Sequence, residues 1–537
     1  RPTAFRVRTL QPLGYISILR LKTVLKCNRN CFLLYKESTE RSILFLLTKW
    51  FCCNKIVIKC GCVHSGLLLS GDNKQLRGKQ IGDDHDRKKE NNMILKKITI
   101  ENFRCFKNYE VDLTPGITVF IGKNGAGKTS LLNAIRYGLS VFFSNDSTMG
   151  DDLLISGNPD LKVISTLATD FYRAQNADLP AVDLTINMEA EFNDIPLNWE
   201  YYKRSTSGAS LFVSKYQQAY RTLMAEYHNS DQLPLFVFYS DSFPHIDTRT
   251  SDFAKKAIKE QGYIIRNFAY YKWNSEVSCT SIWQNRFINS MLKQISLNDS
   301  DPLNSKEVEY IKNKLRTFSE PINSALEEKD DFEIKDFFPV VDDKTLSLYL
   351  RLKNERDVIF DNLPAGYKRL YSIAFDLAYR LYILRKTNEE DPKGIAIIDE
   401  IDLHLHPSLE QEVLARLKKT FPSIQFIVST HSPMVLSNLK VKDTGNMIYR
   451  MQADEDTPNA LPNLYGVDYS AAVYDFMGTP YADNEVKEEI EAILRLSRRG
   501  KPELVEKRKE ELKSMVSEEQ YINIISKINS QLAEDKY

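Results

Sequence analysis

A glycine-rich run between an apolar run and a helical pattern holds the residues of this chain best suited to phosphate chemistry. Glycines at its turns let backbone N–H groups face phosphate oxygens, and a following helix adds the positive end of its dipole. Lys128 would reach the β- and γ-phosphates, and the Thr129 hydroxyl would be a Mg²⁺ ligand. We therefore predict a P-loop that binds a nucleoside triphosphate, with these residues: Gly122, Lys123, Asn124, Gly125, Ala126, Gly127, Lys128, Thr129 and Ser130.

Two adjacent acids follow a second apolar run far downstream. The run 394–398 reads as a buried strand, and Asp399 and Glu400 come directly after it. This is the Walker B pattern, in which the first acid holds Mg²⁺ and the second polarises the attacking water. We expect Asp399 and Glu400 to take these roles, so that the chain hydrolyses ATP as an ATPase, with ATP and Mg²⁺ as its cofactors.

The elements that must position these groups are those of an α/β fold. Alternating apolar residues predict strands at 94–103, 109–113, 181–192 and 199–203, and buried-type strands at 117–121, 235–239, 394–398 and 424–428. Lys128 and Asp399 are too far apart in the chain for one βα crossover, so an insertion must separate the two halves. We place it at about 250–330, where the patterns are helical.

The composition of the chain limits the classes of protein to which it can belong. The 537 residues include 72 Lys and Arg and 72 Asp and Glu, but residues 1–92 carry 18 basic and 7 acidic side chains, so the remainder is mildly acidic. Any DNA contact must therefore be a local basic patch. Six of the eight cysteines lie before residue 92, no apolar run approaches the ~18 residues of a membrane span, and no signal-peptide layout is present. We expect a cytoplasmic protein without a membrane partner.

Residues 1–92 differ from the rest of the chain. They mix basic and apolar residues without sustained period and end in a polar stretch just before Met93. We interpret them as translated upstream sequence without a fold, because Lys89 and Glu90 can be encoded as a ribosome-binding sequence ahead of a Met93 start. A zinc site at Cys60, Cys62 and His64 is the less favoured alternative, since that spacing is not the usual one.

The motifs together resemble the SMC/RecF/OLD group of ATPases, whose fold is related to the ABC ATPase head. The resemblance rests on I-x-I-x-N-F-R-C-F before the P-loop, on D-E-I-D-L-H-L-H-P from Asp399, and on S-T-H-S-P from Ser429. It implies a head with a mixed or parallel P-loop sheet, an antiparallel β subdomain, a helical insertion and a C-terminal helical tail. It also implies that His431 contacts the γ-phosphate and that the loop of Asp402 meets a partner subunit. His404 and His406 would be structural, with a metal site as the alternative.

A further motif occupies the place of the ABC signature. In the family, the start of this helix faces the γ-phosphate of ATP bound to a second subunit, which suits the free N–H groups of a helix N-terminus. The chain has proline where the family has serine, so the hydroxyl contact is lost and fast hydrolysis is in doubt. The residues that would bind ATP in trans are Pro364, Ala365, Gly366, Tyr367 and Lys368.

The compact layout is most similar to Septu-type ATPases of bacterial antiviral defence, including those encoded beside retrons. That resemblance implies a homodimer or higher oligomer, a separately encoded HNH endonuclease, and a reverse transcriptase with its RNA–DNA product as a further partner. Two alternatives stay open: a RecF-like repair ATPase that binds DNA directly, and a nucleotide-dependent scaffold with little turnover. The insertion carries aromatic and basic residues that suit either a nucleic-acid surface or, more often, a helical core: Tyr270, Tyr271, Trp273, Trp283, Arg286 and Lys293.

These patterns predict five regions along the chain. Residues 1–92 are the upstream segment, and 93–249 form the N-terminal half of the ATPase head with the P-loop. Residues 250–330 are the helical insertion, and 331–480 form the C-terminal half with the signature-like motif, Walker B and His431. Residues 481–537 form the helical tail, which we expect to serve partner docking.

Overall fold

The structure is a computed structural model of the chain. Contacts divide it into two units, Arg1–His85 and Asp86–Tyr537. The residues that the structure describes are 23–27, 30–34, 45–46, 93–144, 161–174, 179–206, 211–246, 266–274, 277–297, 302–322, 332–341, 346–385, 390–453, 455–467, 469, 476 and 484–534.

The first unit contributes three short strands. These are β1 Thr23–Cys27, β2 Asn30–Leu34 and β3 Phe45–Leu46, which pair antiparallel in a sheet of their own. The origin of residues 1–92 as translated upstream sequence stays a prediction, and mass spectrometry of the native N-terminus would test it. Cys60, Cys62 and His64 lie outside the described residues.

An antiparallel four-stranded sheet opens the second unit. Its strand order is β5-β4-β7-β8, and one face of each strand is buried, as the alternating sequence predicts. Along the chain, the P-loop strand β6 follows β5 and precedes β7. The bounds are β4 Met93–Phe103, β5 Phe106–Asp112, β6 Ile117–Ile121, β7 Leu184–Phe192 and β8 Ile195–Lys203.

A six-stranded sheet forms the centre of the unit. Its order is β18-β17-β6-β16-β15-β9, and all neighbours are parallel except β18. The strands β6, β9, β15 and β16 are buried throughout, which explains their continuous apolar runs. The bounds are β9 Leu235–Tyr239, β15 Gly394–Ile398, β16 Ile424–Ser429, β17 Met447–Arg450 and β18 Asn459–Ala460.

A buried glutamine joins the two sheets. Gln425 on β16 donates to the carbonyls of Leu95 (2.8 Å) and Thr114 (2.7 Å), and its amide oxygen accepts from the Leu95 N–H (2.8 Å). All polar atoms of its side chain are therefore used, as burial requires. The antiparallel sheet is held at a fixed position beside the P-loop sheet.

Helices cover the central sheet. The helix after the P-loop starts at Lys128, and a 20-residue helix starts just after Pro364. The bounds are α1 Lys128–Ser140, α2 Gln217–Ser230, α3 Thr280–Leu297, α4 Pro302–Ser319, α5 Ala365–Leu384, α6 Pro407–Thr420 and α7 Pro433–Ser437. Two short strands, β10 His245–Ile246 and β11 Val277–Ser278, pair in parallel.

The helical insertion packs into the main core. Phe268 and Tyr271 stack at 5.3 Å, and Trp283 stacks on Tyr379 of α5 at 5.1 Å. The aromatic residues of the proposed nucleic-acid surface are at most 1% exposed, and buried Arg286 is paired with Glu307. Tyr270 and Trp273 pack on Phe143. The nucleic-acid alternative is wrong for these residues, because their rings are buried in ring contacts within the fold; the buried aromatics are Tyr270, Tyr271, Trp273 and Trp283.

A three-stranded antiparallel sheet follows the insertion and leads into α5. Its strands are β12 Ile334–Val341, β13 Leu346–Leu352 and β14 Asp357–Ile359. The chain from β14 then passes through a short 3₁₀ turn, Phe360–Asn362, to the start of α5.

The C-terminal helices have a small core of their own. Ile493 and Leu512 are fully buried within a cluster separate from the main core. The bounds are α8 Asn484–Arg498, α9 Pro502–Met515 and α10 Glu518–Glu534. Within the described residues, no helix has the length and apolar character needed to cross a membrane. The boundaries of the five predicted regions, and partner docking by the tail, stay predictions.

Candidate nucleotide site

Three loops leave the central sheet at the same edge. Register pairs Ile398 with Val428, and Ser429 with Phe120, so the carboxyl ends of β6, β15 and β16 lie side by side. The P-loop follows β6, the two acids follow β15 and His431 follows β16. Parallel strands thus bring together residues that are about 300 positions apart in the chain, at the edge where such sheets bind ligands.

The P-loop has the backbone that its glycines predict. Gly125 (φ 82°) and Gly127 (φ 95°) are in the left-handed region, and Gly127 immediately precedes α1. A Cβ at Gly127 would lie 2.8 Å from Phe106 Cζ and 3.0 Å from Cys105 Sγ, whereas a Cβ at Gly125 would meet nothing within 4 Å. The loop is therefore closed against the β4–β5 turn on one side and open at Gly125.

Lys128 is held inside the loop. Its Nζ donates to the carbonyls of Gly122 (2.8 Å) and Lys123 (3.2 Å), and the residue is 6% exposed. Burial lowers the pKa of its ammonium group, while the charges of the nearby acids, Asp399 first, oppose that shift. The ammonium group thus lies between the P-loop and the Walker B acids, where a bound triphosphate would replace its carbonyl contacts.

The Walker B acids differ in environment. Asp399 is 2% exposed and accepts a short hydrogen bond from the Ser429 hydroxyl, whereas Glu400 is partly exposed. Burial raises the pKa of the Glu400 carboxyl, and the charge of Asp399 raises it further, while His431 acts in the opposite direction. Glu400 is therefore the more accessible of the two acids, and Asp399 is the one held by a side-chain hydrogen bond.

The loop after β16 is fastened to the Walker B segment. Thr430 donates its hydroxyl to Asp402 Oδ1 (2.6 Å), and the His431 N–H donates to both oxygens of Asp402 (3.2 and 3.3 Å). The Ser432 hydroxyl donates to Glu410 on α6 through another short bond. Asp402, expected at a dimer contact, here fixes the backbone of His431 within its own chain.

The signature-like segment is partly exposed. Pro364 and Ala365 are exposed at the start of α5, whereas Gly366 is buried. A Cβ at Gly366 would lie 2.4 Å from the His404 carbonyl oxygen, so only glycine fits there. Lys368 donates to the Asp361 carbonyl (2.8 Å), and Tyr367 packs on Phe332 with ring centroids 4.2 Å apart.

Two histidines near the site have local roles. His406 precedes α6, and its ring nitrogen lies 2.9 Å from the Ser408 hydroxyl, while His404 has a positive φ of 64° in the preceding turn. Across the residues that the structure describes, no group of three or more His, Cys, Asp and Glu side chains is arranged to hold a metal ion. Mg²⁺ in sites of this kind takes one or two protein ligands and completes its shell with phosphate and water oxygens. Thr129 and Asp399 suit that requirement.

Sequence reasoning missed two side chains of the site. Ser429 bonds to Asp399 and also accepts the Glu400 N–H (2.8 Å), and Arg369 on α5 reaches the backbone of both acids. The S-T-H-S-P motif offered a signal for Ser429. Arg369 is the arginine of the L-x-x-G-Y-x-R-L pattern from Leu363, but that pattern did not indicate its contacts, because its partners come from distant parts of the chain.

The fold and the site define a P-loop ATPase whose P-loop and Walker B acids come from two distant parts of the chain. Comparison with known proteins gives the same class. Residues 93–436 match the AAA ATPase domain family, AAA_15, and the chain belongs to it. It binds nucleotide and is an ATPase.

Individual relatives of the chain include a retron ATPase and a Septu protein. The chain is 25% identical over 418 residues to the Retron Vc95 probable ATPase of Vibrio cholerae serotype O1 biovar El Tor, covering 68% of this chain and 76% of that one. It is 22% identical to the Septu protein PtuA of Bacillus mycoides (strain KBAB4), over 86% of this chain and 56% of that one. An SMC head domain from Thermotoga maritima aligns with 68% of this chain and 98% of its own at 13% identity and a TM-score of 0.35.

Proposed function

We propose that this ATPase belongs to a bacterial antiphage defence system of the retron or Septu type and works in the cytoplasm. In this proposal an ATP-dependent dimer holds a separately encoded HNH endonuclease inactive until infection. A reverse transcriptase with its RNA–DNA product is the further partner. The observation that carries the proposal is the similarity to the Retron Vc95 probable ATPase over 68% of this chain.

The proposed chemistry divides the work between the three loops. The P-loop binds the triphosphate, and Lys128 neutralises the β- and γ-phosphates. Thr129 and Asp399 would hold Mg²⁺, which would supply positive charge beside the phosphates. Glu400 polarises the attacking water, and its partly exposed position directly after Asp399 supports that role. His431 contacts the γ-phosphate, and Asp402 fixes the backbone that carries it.

The second half of the site would come from another copy of the chain. Residues 364–368 would offer the N-terminus of α5 to the γ-phosphate bound by the partner copy, since free N–H groups and the helix dipole favour an anion there. The exposure of Pro364 and Ala365 supports this contact. Lys368 would have to exchange its bond to Asp361 for the phosphate. Asp402 accepts hydrogen bonds from Thr430 and His431 of its own chain, so a contact with the partner copy would have to form beside these bonds or replace them.

A second candidate function is a nucleotide-dependent scaffold with little turnover. The observation that favours it is Pro364, which precedes α5 and supplies no side-chain cap, so a hydroxyl contact to the γ-phosphate is lost. ATP binding would then close the dimer without frequent hydrolysis. Single-turnover hydrolysis by the purified chain, compared with its affinity for ATP, separates the two functions.

The deciding experiment is co-purification from the native operon. The tagged chain and its Glu400→Gln variant are purified, and bound protein and nucleic acid are identified by mass spectrometry and sequencing. The proposal predicts a bound HNH endonuclease whose association changes on addition of Mg-ATP. Recovery of DNA without any partner protein would instead support a RecF-like repair ATPase.

A further inference from the structure

A buried arginine on α5 contacts the backbone of both Walker B acids. Arg369 is 2% exposed, and its Nη2 donates to the carbonyls of Asp399 (2.7 Å) and Glu400 (3.2 Å). Nη2 also donates to the Ser240 carbonyl (3.3 Å), and Nη1 donates to those of Asp241 (2.6 Å) and Phe243 (2.7 Å). One guanidinium group therefore joins α5 to the loop after β9 and to the loop after β15.

These bonds fix a strained residue. Glu400 has a φ of 48°, a left-handed conformation that is unfavourable for a non-glycine residue. Its N–H is held by the Ser429 hydroxyl and its carbonyl by Arg369, so the backbone is fixed on both sides of its Cα. Because the direction of the Cα–Cβ bond follows from the backbone at its Cα, the two contacts fix the direction in which the Glu400 side chain leaves the loop.

Arginine suits this position better than lysine. Its planar guanidinium group offers five N–H donors in a fixed arrangement, and it stays charged when buried. Burial lowers the pKa of Arg369, while the charge of Asp241 and then those of Glu400 and Asp399 counteract the shift. A lysine has three donors on one nitrogen and could not reproduce all five carbonyl contacts, which the arginine divides between Nη1 and Nη2.

The arginine also lies close to the exposed start of α5. Four residues before it, Ala365 begins the helix, and between them Gly366 packs on the His404 carbonyl. The first turns of α5 thus contact the Walker B segment at two points. A displacement of the start of α5 would therefore move Arg369, which contacts the Glu400 carbonyl.

We propose that Arg369 is a positioning residue that sets the place of Glu400 for ATP hydrolysis and couples it to the start of α5. The placement of Glu400 by Arg369 requires only that ATP is hydrolysed at this site. The coupling of Glu400 through α5 to a second copy of the chain rests on the proposed function. Arg369 itself does not touch the nucleotide in this proposal.

The test compares single-turnover hydrolysis and nucleotide affinity in the full chain. Arg369→Lys and Arg369→Gln are assayed with excess enzyme over radiolabelled ATP, and affinity is measured with a fluorescent ATP analogue. We expect a ten- to hundredfold slower hydrolysis, because displacement of a reacting group by about 1 Å costs up to a hundredfold. The affinity for the analogue should stay within threefold of wild type. The matched control is Arg416→Lys, a buried arginine on α6 that pairs with Glu412, and it should leave hydrolysis within twofold.

The Glu400→Gln background separates positioning from a general loss of structure. If Arg369 acts through Glu400, adding Arg369→Lys to Glu400→Gln should slow residual hydrolysis less than twofold. Full additivity of the two changes would overturn the proposal, as would hydrolysis by Arg369→Lys within twofold of wild type. A loss of nucleotide affinity as large as the loss of rate would also overturn it. Since the assay needs no nuclease, failure of the defence proposal would leave these results unchanged.

Discussion

At the scale of single residues, the site is a set of short polar contacts between three loops. Each residue of the run from Ser429 to Ser432 bonds to an acid that follows β15 or lies on α6. These bonds fix the carboxylates and the His431 backbone before nucleotide binds, and such preorganisation is the main source of catalysis in phosphoryl transfer. The predictions at this scale concern Glu400 and the P-loop glycines.

Replacement of Glu400 by glutamine should separate binding from hydrolysis. Glu400→Gln removes the proton acceptor and keeps the shape, so we expect the hydrolysis rate to fall at least about a hundredfold while Mg-ATP still binds. Single-turnover assays and equilibrium binding measure the two quantities. The control is Glu101→Gln, an exposed acid on β4, which should match wild type. Undiminished hydrolysis by Glu400→Gln would contradict the assigned role.

The two P-loop glycines should respond differently to alanine. Gly127→Ala places a Cβ against Phe106 and Cys105 in a left-handed conformation, so it should abolish measurable binding of an ATP analogue. Gly125→Ala meets open space and bears only the backbone strain of roughly 1–2 kcal/mol, so weaker binding should remain. Equal losses of affinity in the two variants would show that contact with the β4–β5 turn is unimportant.

At the scale of elements, a buried polar network holds α5 against the sheet and the insertion. Asp376 is fully buried and accepts hydrogen bonds from Tyr239 of β9 (2.8 Å), Trp283 of α3 (2.6 Å) and Arg380 (2.6 Å). Arg380 also donates to the Ala269 carbonyl (2.5 Å). The helix that starts at the signature-like segment is thereby anchored along its length to three other elements.

Neutralising Asp376 should destabilise the fold strongly. Asp376→Asn leaves the Arg380 charge buried without its carboxylate, and breaking such a pair costs about 3–5 kcal/mol. The change should appear as a lower midpoint in chemical or thermal unfolding. Asp357→Asn is the matched control, because Asp357 pairs with Arg351 on an exposed strand and its loss should hardly move the midpoint. Similar midpoints for the two variants would contradict a stabilising role for the network.

The sequence predicted most elements of the site because each has a strong local signal. The continuous apolar runs of β6, β9, β15 and β16 and the glycines of the P-loop are properties of short segments, and the structure confirms them. The hairpin β12–β13 was missed, although Leu348, Leu350 and Leu352 alternate in the sequence and are buried. The contacts of Arg369 could not be predicted, because its five carbonyl partners are set by the packing of distant segments.

At the scale of the whole molecule, the proposed ATP-dependent dimer requires two copies of the chain to meet across bound ATP. The exposed start of α5, the open side of the P-loop at Gly125 and the partly exposed Glu400 are the features that a second copy would complete. Closure would exclude water from the γ-phosphate and strengthen every charge interaction there. The same contact would be the point at which a bound nuclease senses the nucleotide state.

The measurement that tests this claim most directly is the mass of the full-length Glu400→Gln variant by sedimentation velocity. With saturating Mg-ATP the account predicts a species of two chains, and with ADP a species of one chain. Ala365→Glu in the same background should bind ATP yet keep the mass of one chain, because its carboxylate would face the partner's γ-phosphate. A single-chain mass at saturating ATP, or two chains regardless of nucleotide, would contradict the ATP-dependent dimer.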